Sequence, residues 1–168
     1  IEGEGSTFWL DLPICEPLDD VETETEQNEV LPEIELSDIG NKVILYVEDN
    51  LSNVKLVKGI LSLSPNINLI TTQTAESGVD LARFSRPDLI IMDTNLPGID
   101  GNEAVRRLKS IESTKDIPVI GLSANAMEKN EQEALSAGCE VYMTKPVNIP
   151  DLIFHLTRLL RRSKQSSE

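Results

Sequence analysis

Between Lys42 and Arg162 the chain repeats one unit five times: a short apolar run rich in β-branched residues, then a stretch with helical periodicity. The runs are KVILYV (42–47), INLITT (67–72), DLIIMD (88–93), IPVIGLS (117–123) and EVYMT (140–144). Val54, Val57 and Leu61 recur at helical spacing after the first run. Ala75, Val79 and Ala82 do so after the second, behind Thr74 as an N-cap. Asp100 with Glu103 three residues on resembles a capping box, and Gly138 closes a polar helix at its C-terminus. Ile149, Ile153, Leu156 and Leu160 line one side of the last helix, which ends in basic residues. Continuous apolar strands separated by amphipathic helices predict a parallel sheet covered on both faces.

In such sheets, ligand sites lie beyond the carboxyl ends of the strands. The first run ends in Glu48-Asp49, the third in Asp93 and the fourth in Ser123, and Thr144-Lys145-Pro146 closes the fifth. Taken singly, each acid reads as a helix cap or a surface residue. Taken together, three carboxylates, a hydroxyl and an ammonium at the exits of four strands read as one site. Acids gathered there repel one another, and burial sharpens the repulsion. A hard divalent cation with oxygen ligands relieves it, and Mg2+ suits a site of one or two carboxylates, waters and a phosphate oxygen. The chain has no Ser-His-Asp arrangement, no Gly-x-x-x-x-Gly-Lys loop and no Gly-x-Gly-x-x-Gly turn after the first strand. The best nucleophile is therefore the Asp93 carboxylate, which can attack a phosphoryl group to give an acyl phosphate. Lys145 and Ser123 would hold the product's oxygens.

Charge divides the chain. The net charge is −14, and 13 of the 29 acids lie between Ile1 and Asn41, where there is no Lys or Arg. That stretch would repel nucleic-acid phosphates. Residues 14–40 are rich in Glu, Asp, Thr and Pro and contain no aromatic residue, so they read as a flexible, mostly disordered acidic linker kept extended by self-repulsion. Residues 1–13 contain a strand-like alternation in GEGSTFWLDLP. No apolar run reaches the ~18–20 residues of a membrane span, and the start has no basic signal-peptide region. Cys15 and Cys139, the two cysteines, lack zinc-like spacing and read as idle or buried thiols of a reducing, cytoplasmic setting. The single His155 reads as a packed or surface residue, and Met127 as either core packing or a surface contact.

Residues 42 to about 163 resemble the receiver domain of two-component response regulators. The resemblance rests on Glu48-Asp49, MDTNLPGIDG around Asp93, VIGLSANA around Ser123 and GCEVYMTKP around Lys145. The spacings also fit: 44 residues from Asp49 to Asp93, 30 on to Ser123 and 22 more to Lys145. The resemblance implies a flavodoxin-like doubly wound five-stranded sheet in the order 2-1-3-4-5 with five helices over residues 41–163, and a polar tail at 164–168. It implies that Asp93 accepts a phosphoryl group from a phosphohistidine. Glu48, Asp49, Asp93 and the Asn95 backbone carbonyl would bind Mg2+, partly through water. Lys145 would contact the phosphoryl group, Ser123 would swing toward it, Tyr142 would turn inward behind it, and the Lys145–Pro146 bond would be cis. Two departures from the common pattern are the Glu-Asp pair and Asn95, where many relatives carry methionine. A small polar Asn95 can position a water for attack on the acyl phosphate.

GSTFWLDLP in turn resembles the last turn and strand of a histidine kinase ATP-binding domain. With the linker and the receiver it implies the C-terminal part of a hybrid sensor histidine kinase, a parent whose anchorage in a membrane is left open. The chain in hand is expected to have no kinase activity of its own and no output domain. Its partners would be a phosphohistidine-bearing kinase domain or a histidine phosphotransfer protein. Two rivals remain: a metal-dependent phosphohydrolase with an aspartyl-phosphate intermediate, which would need an acid where Asn95 stands, and a pseudo-receiver that only binds partners.

Overall fold

The computed structural model describes residues 40–162. The orphan strand, the acidic linker and the polar tail read from the sequence lie outside the described residues. The element order is β1 (Lys42–Val47), α1 (Leu51–Leu61), β2 (Ile67–Thr72), α2 (Ala75–Ser85), β3 (Leu89–Asp93), α3 (Gly101–Ser110), β4 (Val119–Ser123), α4 (Glu128–Ala137), β5 (Val141–Thr144) and α5 (Ile149–Arg162). All strand pairs are parallel, and the sheet runs β2-β1-β3-β4-β5. The expected fold and strand order are found.

The central strands β1, β3 and β4 are mostly apolar because both of their faces are buried. Alternate residues point to opposite sides. Ile44, Tyr46, Ile91, Ile120 and Leu122 pack with Val57, Ile60 and Leu61 of α1 and with Leu152, Leu156 and Leu160 of α5. Leu45, Val47, Ile90, Met92 and Val119 pack with Ala75, Val79 and Ala82 of α2, Ala104, Val105 and Leu108 of α3, and Ala134 and Ala137 of α4. Edge strand β2 has no fully buried residue: its positions are half-buried or exposed. Of the expected helical stripes, Val54 and Ile149 are only partly buried, while their companions are in the core.

The helix starts follow local chemistry. The Asn50 side chain accepts from Ser52 N (2.9 Å), Thr74 from Ser77 N (3.2 Å) and Asp100 from Glu103 N (2.9 Å). At the other end of α4, Gly138 takes the left-handed conformation (φ 113°) that an L side chain resists. Helix α4 begins at Glu128, later than the polar stretch from Asn125 suggests. Asn125 Oδ1 accepts from Met127 N (3.1 Å), which holds residues 125–127 in a turn instead of a first helical turn.

Met127 is 65% exposed, so core packing is not its role. Cys139 is buried, and burial pushes its thiol up to about 12; Cys15 lies outside the described residues. His155 packs edge-on against Phe154. No helix among the described residues is long and apolar enough to cross a membrane.

Candidate phosphoryl-accepting site

The parallel register brings the strand ends level. Val47 stands beside Met92, Asp93 beside Leu122, and Ser123 beside Thr144. Glu48 and Asp49 leave β1 at that edge, Asp93 and Ser123 are the last residues of β3 and β4, and Lys145 follows β5. Glu48, Asp93 and Ser123 are buried, whereas Asp49 is exposed. Carboxylate oxygens of Glu48, Asp49 and Asp93 lie within 4.8 Å of one another. Lys145 Nζ reaches into the group, 2.6 Å from Glu48 Oε2 and 2.7 Å from Asp93 Oδ2.

Electrostatics favours the charged forms of Glu48 and Lys145. Burial alone would raise the Glu48 carboxyl, but hydrogen bonds from Lys145, Asn53 and Tyr46 outweigh it and hold the group below the usual carboxylate range. Burial would lower the Lys145 ammonium, but the hydrogen bonds and charges of Asp93 and Glu48 carry it above its ordinary value. Tyr46 is driven strongly upward by burial and by its bond to Glu48, so its phenol stays protonated and donates. Three carboxylates against one ammonium leave an excess of negative charge. An oxygen-liganded divalent cation fits that donor set.

Around Asp93 the backbone is tightly arranged. Asn95 N donates to Asp93 Oδ1 (2.8 Å), and the Thr94 hydroxyl donates to Asn95 Oδ1 (3.0 Å). Thr94 N bonds Leu122 O (2.8 Å), which ties the loop after Asp93 to β4. Gly101, the first residue of α3, lies so close that a Cβ there would stand 2.0 Å from the Asp93 carbonyl oxygen. Glu76 Oε1 accepts from Ile99 N (3.1 Å) and fastens the same loop to α2.

Ser123 and Tyr142 are linked through Asn125. Ser123 Oγ accepts from Asn125 N (3.2 Å), and the half-buried Tyr142 donates its hydroxyl to Asn125 O. Lys145 N bonds Ser123 O (2.7 Å), and the Lys145–Pro146 bond is cis, as expected.

The structure thus gathers Glu48, Asp49, Asp93 and Lys145 into one cluster, with Ser123 and Asn95 at its border and Tyr142 two hydrogen bonds further out, through Asn125. It adds residues that sequence reasoning missed. Tyr46 OH donates to Glu48 Oε2 (2.8 Å), and Asn53 Nδ2 donates to Glu48 Oε1 (3.0 Å). A signal for Tyr46 existed: it precedes Glu48 by two residues and so shares its side of the strand. Gly101 had no comparable signal.

Comparison with known proteins agrees with this geometry. Residues 44–157 match the response regulator receiver domain. The polar-differentiation response regulators DivK of Brucella anthropi and Brucella ovis are each 39% identical over 112 residues, spanning 67% of this chain and 90% of theirs. The receiver domain of the sensor histidine kinase PA1611 from Pseudomonas aeruginosa PAO1, solved with a magnesium ion coordinated in its active-site cleft, superposes with a TM-score of 0.66 at 30% identity, covering 72% of this chain and 98% of that one. The receiver domain of Francisella response regulator 1452 gives 0.67 at 26% identity, covering 73% and 99%. The chain belongs to the response regulator receiver family, a component of two-component signalling.

Proposed function

We propose that this chain accepts a phosphoryl group from a phosphohistidine onto Asp93, in a Mg2+-dependent step of a phosphorelay. The observation that carries the reading is the Lys145 ammonium bonded to Asp93 at 2.7 Å beside two further carboxylates. In the transfer, an Asp93 carboxylate oxygen forms a bond to phosphorus, the phosphorus–nitrogen bond breaks, and the donor imidazole leaves with the electron pair. Asp49, Asp93, Glu48 and the Asn95 carbonyl would hold the metal, partly through water. When bound, the metal neutralises phosphoryl oxygens as charge moves between donor and acceptor. Asn95 N fixes the Asp93 carboxylate, and Lys145 is placed to follow charge onto the phosphoryl oxygens.

Mixing the chain with acetyl phosphate and Mg2+ tests this by intact mass. One added phosphoryl group on the wild type and none on Asp93→Ala is the expected result. An unmodified wild type overturns the reading.

Once Asp93 is modified, its phosphoryl oxygens attract the Ser123 hydroxyl. Asn125 N then loses its partner, and the Tyr142–Asn125 link loosens with it. The face formed by α4, β5 and α5 would read out this change, with exposed Met127 as a contact. The order of segments supports a hybrid sensor kinase as the parent, with a cytoplasmic receiver and a phosphotransfer protein or the parent kinase as partner. The phosphoryl group is expected to last longer on Asn95→Met than on the wild type, because the variant loses the polar side chain that places water. Equal dephosphorylation half-lives, followed by intact mass after donor removal, would discard that role for Asn95.

A further inference from the structure

The two carboxylates nearest Lys145 are not equally open to a cation. A carboxylate has about four lone-pair positions. Glu48 fills all four with donors from this chain. Oε1 accepts from Asn50 N (3.3 Å) and Asn53 Nδ2 (3.0 Å), and Oε2 accepts from Tyr46 OH (2.8 Å) and Lys145 Nζ (2.6 Å). Glu48 is also fully buried, while the neighbouring Asp49 is exposed. Asp93 accepts one hydrogen bond from this chain on each oxygen, from Asn95 N and Lys145 Nζ.

We infer that Tyr46 is a positioning residue: by occupying Glu48 Oε2 its phenol withholds Glu48 from the cation and keeps it as the second anchor of Lys145. The inference rests on the receiver reading and deepens it. Glu48 would then be the member of the metal-holding set that acts through water and through its charge. The phenol is suited to this because it is wholly buried in the core between the sheet and the α1/α5 layer, where water cannot replace it. Hydroxyl donation to a carboxylate is charge-assisted and holds its geometry well. Removing the donor leaves more of the Glu48 negative charge uncompensated, within 4.8 Å of the other two carboxylates.

Isothermal titration of the full chain with MgCl2 tests the inference. Tyr46→Phe keeps the ring and its packing and removes only the hydroxyl. It is expected to tighten Mg2+ binding by about threefold or more, the scale of one added polar contact. In a Glu48→Gln background the same substitution is expected to leave the Mg2+ affinity unmoved, because the effect runs through the Glu48 charge. Asn53→Ala, on the helix surface rather than in the core, opens Oε1 instead and is expected to tighten binding in the same direction. It serves where Tyr46→Phe does not fold. A merely structural Tyr46 would lower the melting temperature and leave the Mg2+ affinity as it was. Unchanged or weaker binding in folded Tyr46→Phe, or an equal shift with and without Glu48, overturns the inference alone. A wild-type chain that binds no Mg2+ overturns both the inference and the receiver reading beneath it.

Discussion

Gly101→Ala is expected to melt far below the wild type, by ten degrees or more on the order-of-magnitude scale of about 3 kcal/mol of overpacking in a domain of this size. The added Cβ would stand 2.0 Å from the Asp93 carbonyl oxygen and 2.8 Å from Thr94 Cα, and both are backbone atoms. Neither can rotate away as a flexible side chain would, so either α3 or the loop after Asp93 must shift. That loop places Asn95 N on the Asp93 carboxylate. Whatever fraction of the variant folds is therefore expected to take up phosphoryl groups poorly as well. Gly59→Ala provides the contrast. Nothing lies within 4 Å of a Cβ at Gly59, a position in the interior of α1. There the same chemical change removes only backbone freedom from the unfolded chain and is expected to stabilise by up to about 1 kcal/mol. Thermal melts followed by circular dichroism read both. A Gly101→Ala melt that overlays the wild type would mean that the helix does not abut Asp93 as described.

Lys145→Met should cost about 2–4 kcal/mol in the absence of divalent cations, because it strands two buried carboxylates that share one ammonium. Methionine keeps most of the side-chain volume, so the loss is one of charge and hydrogen bonding more than packing. The penalty is expected to shrink when Mg2+ is added. A cation bound only by the folded state stabilises by roughly 2.7 kcal/mol at a hundred times its dissociation constant. Melts in EDTA and in MgCl2, for both proteins, provide the four numbers required. A variant gap of the same width in the two buffers would show that Lys145 and the cation do not balance the same charge.

The pH dependence of the wild type follows from the same bonds. Glu48 is held below its ordinary value, so its contribution is present above the unfolded carboxyl value of about 4.3 and is lost as pH falls through the lower folded value. Lys145 is held above its ordinary value, so its contribution is present below about 10.4 and is lost as pH rises through the higher folded value. In Lys145→Met the alkaline loss disappears. The acid loss weakens too, because Glu48 keeps its burial but no longer has its strongest donor.

Much of this was readable in the residues because the fold imposes strong patterns. A strand buried on both faces must be apolar along its length, so a carboxylate at its tip stands out, and Asp93 after Leu89–Met92 does. Thr74, Asp100 and Gly138 act through local chemistry, so their capping roles are legible from neighbouring residues alone. What the sequence did not disclose depends on distance across the fold. Gly101 matters because the first turn of α3 meets the carbonyl of Asp93, a contact with no signature in spacing or composition. Asn53 reads as one polar residue on an amphipathic helix until β1 and α1 are seen to place it against Glu48. Helix α4 starts later than the polar stretch from Asn125 suggests because the Asn125 side chain competes with the helix for Met127 N.

The ion pair that closes the site joins residues 97 positions apart, Glu48 from just beyond the first strand and Lys145 from just beyond the last. Contacts of such long range form late, after the intervening chain has been ordered. On the proposed phosphoryl-accepting reading, the site is complete only once the last strand has brought Lys145 to the carboxylates that the first and third strands supply.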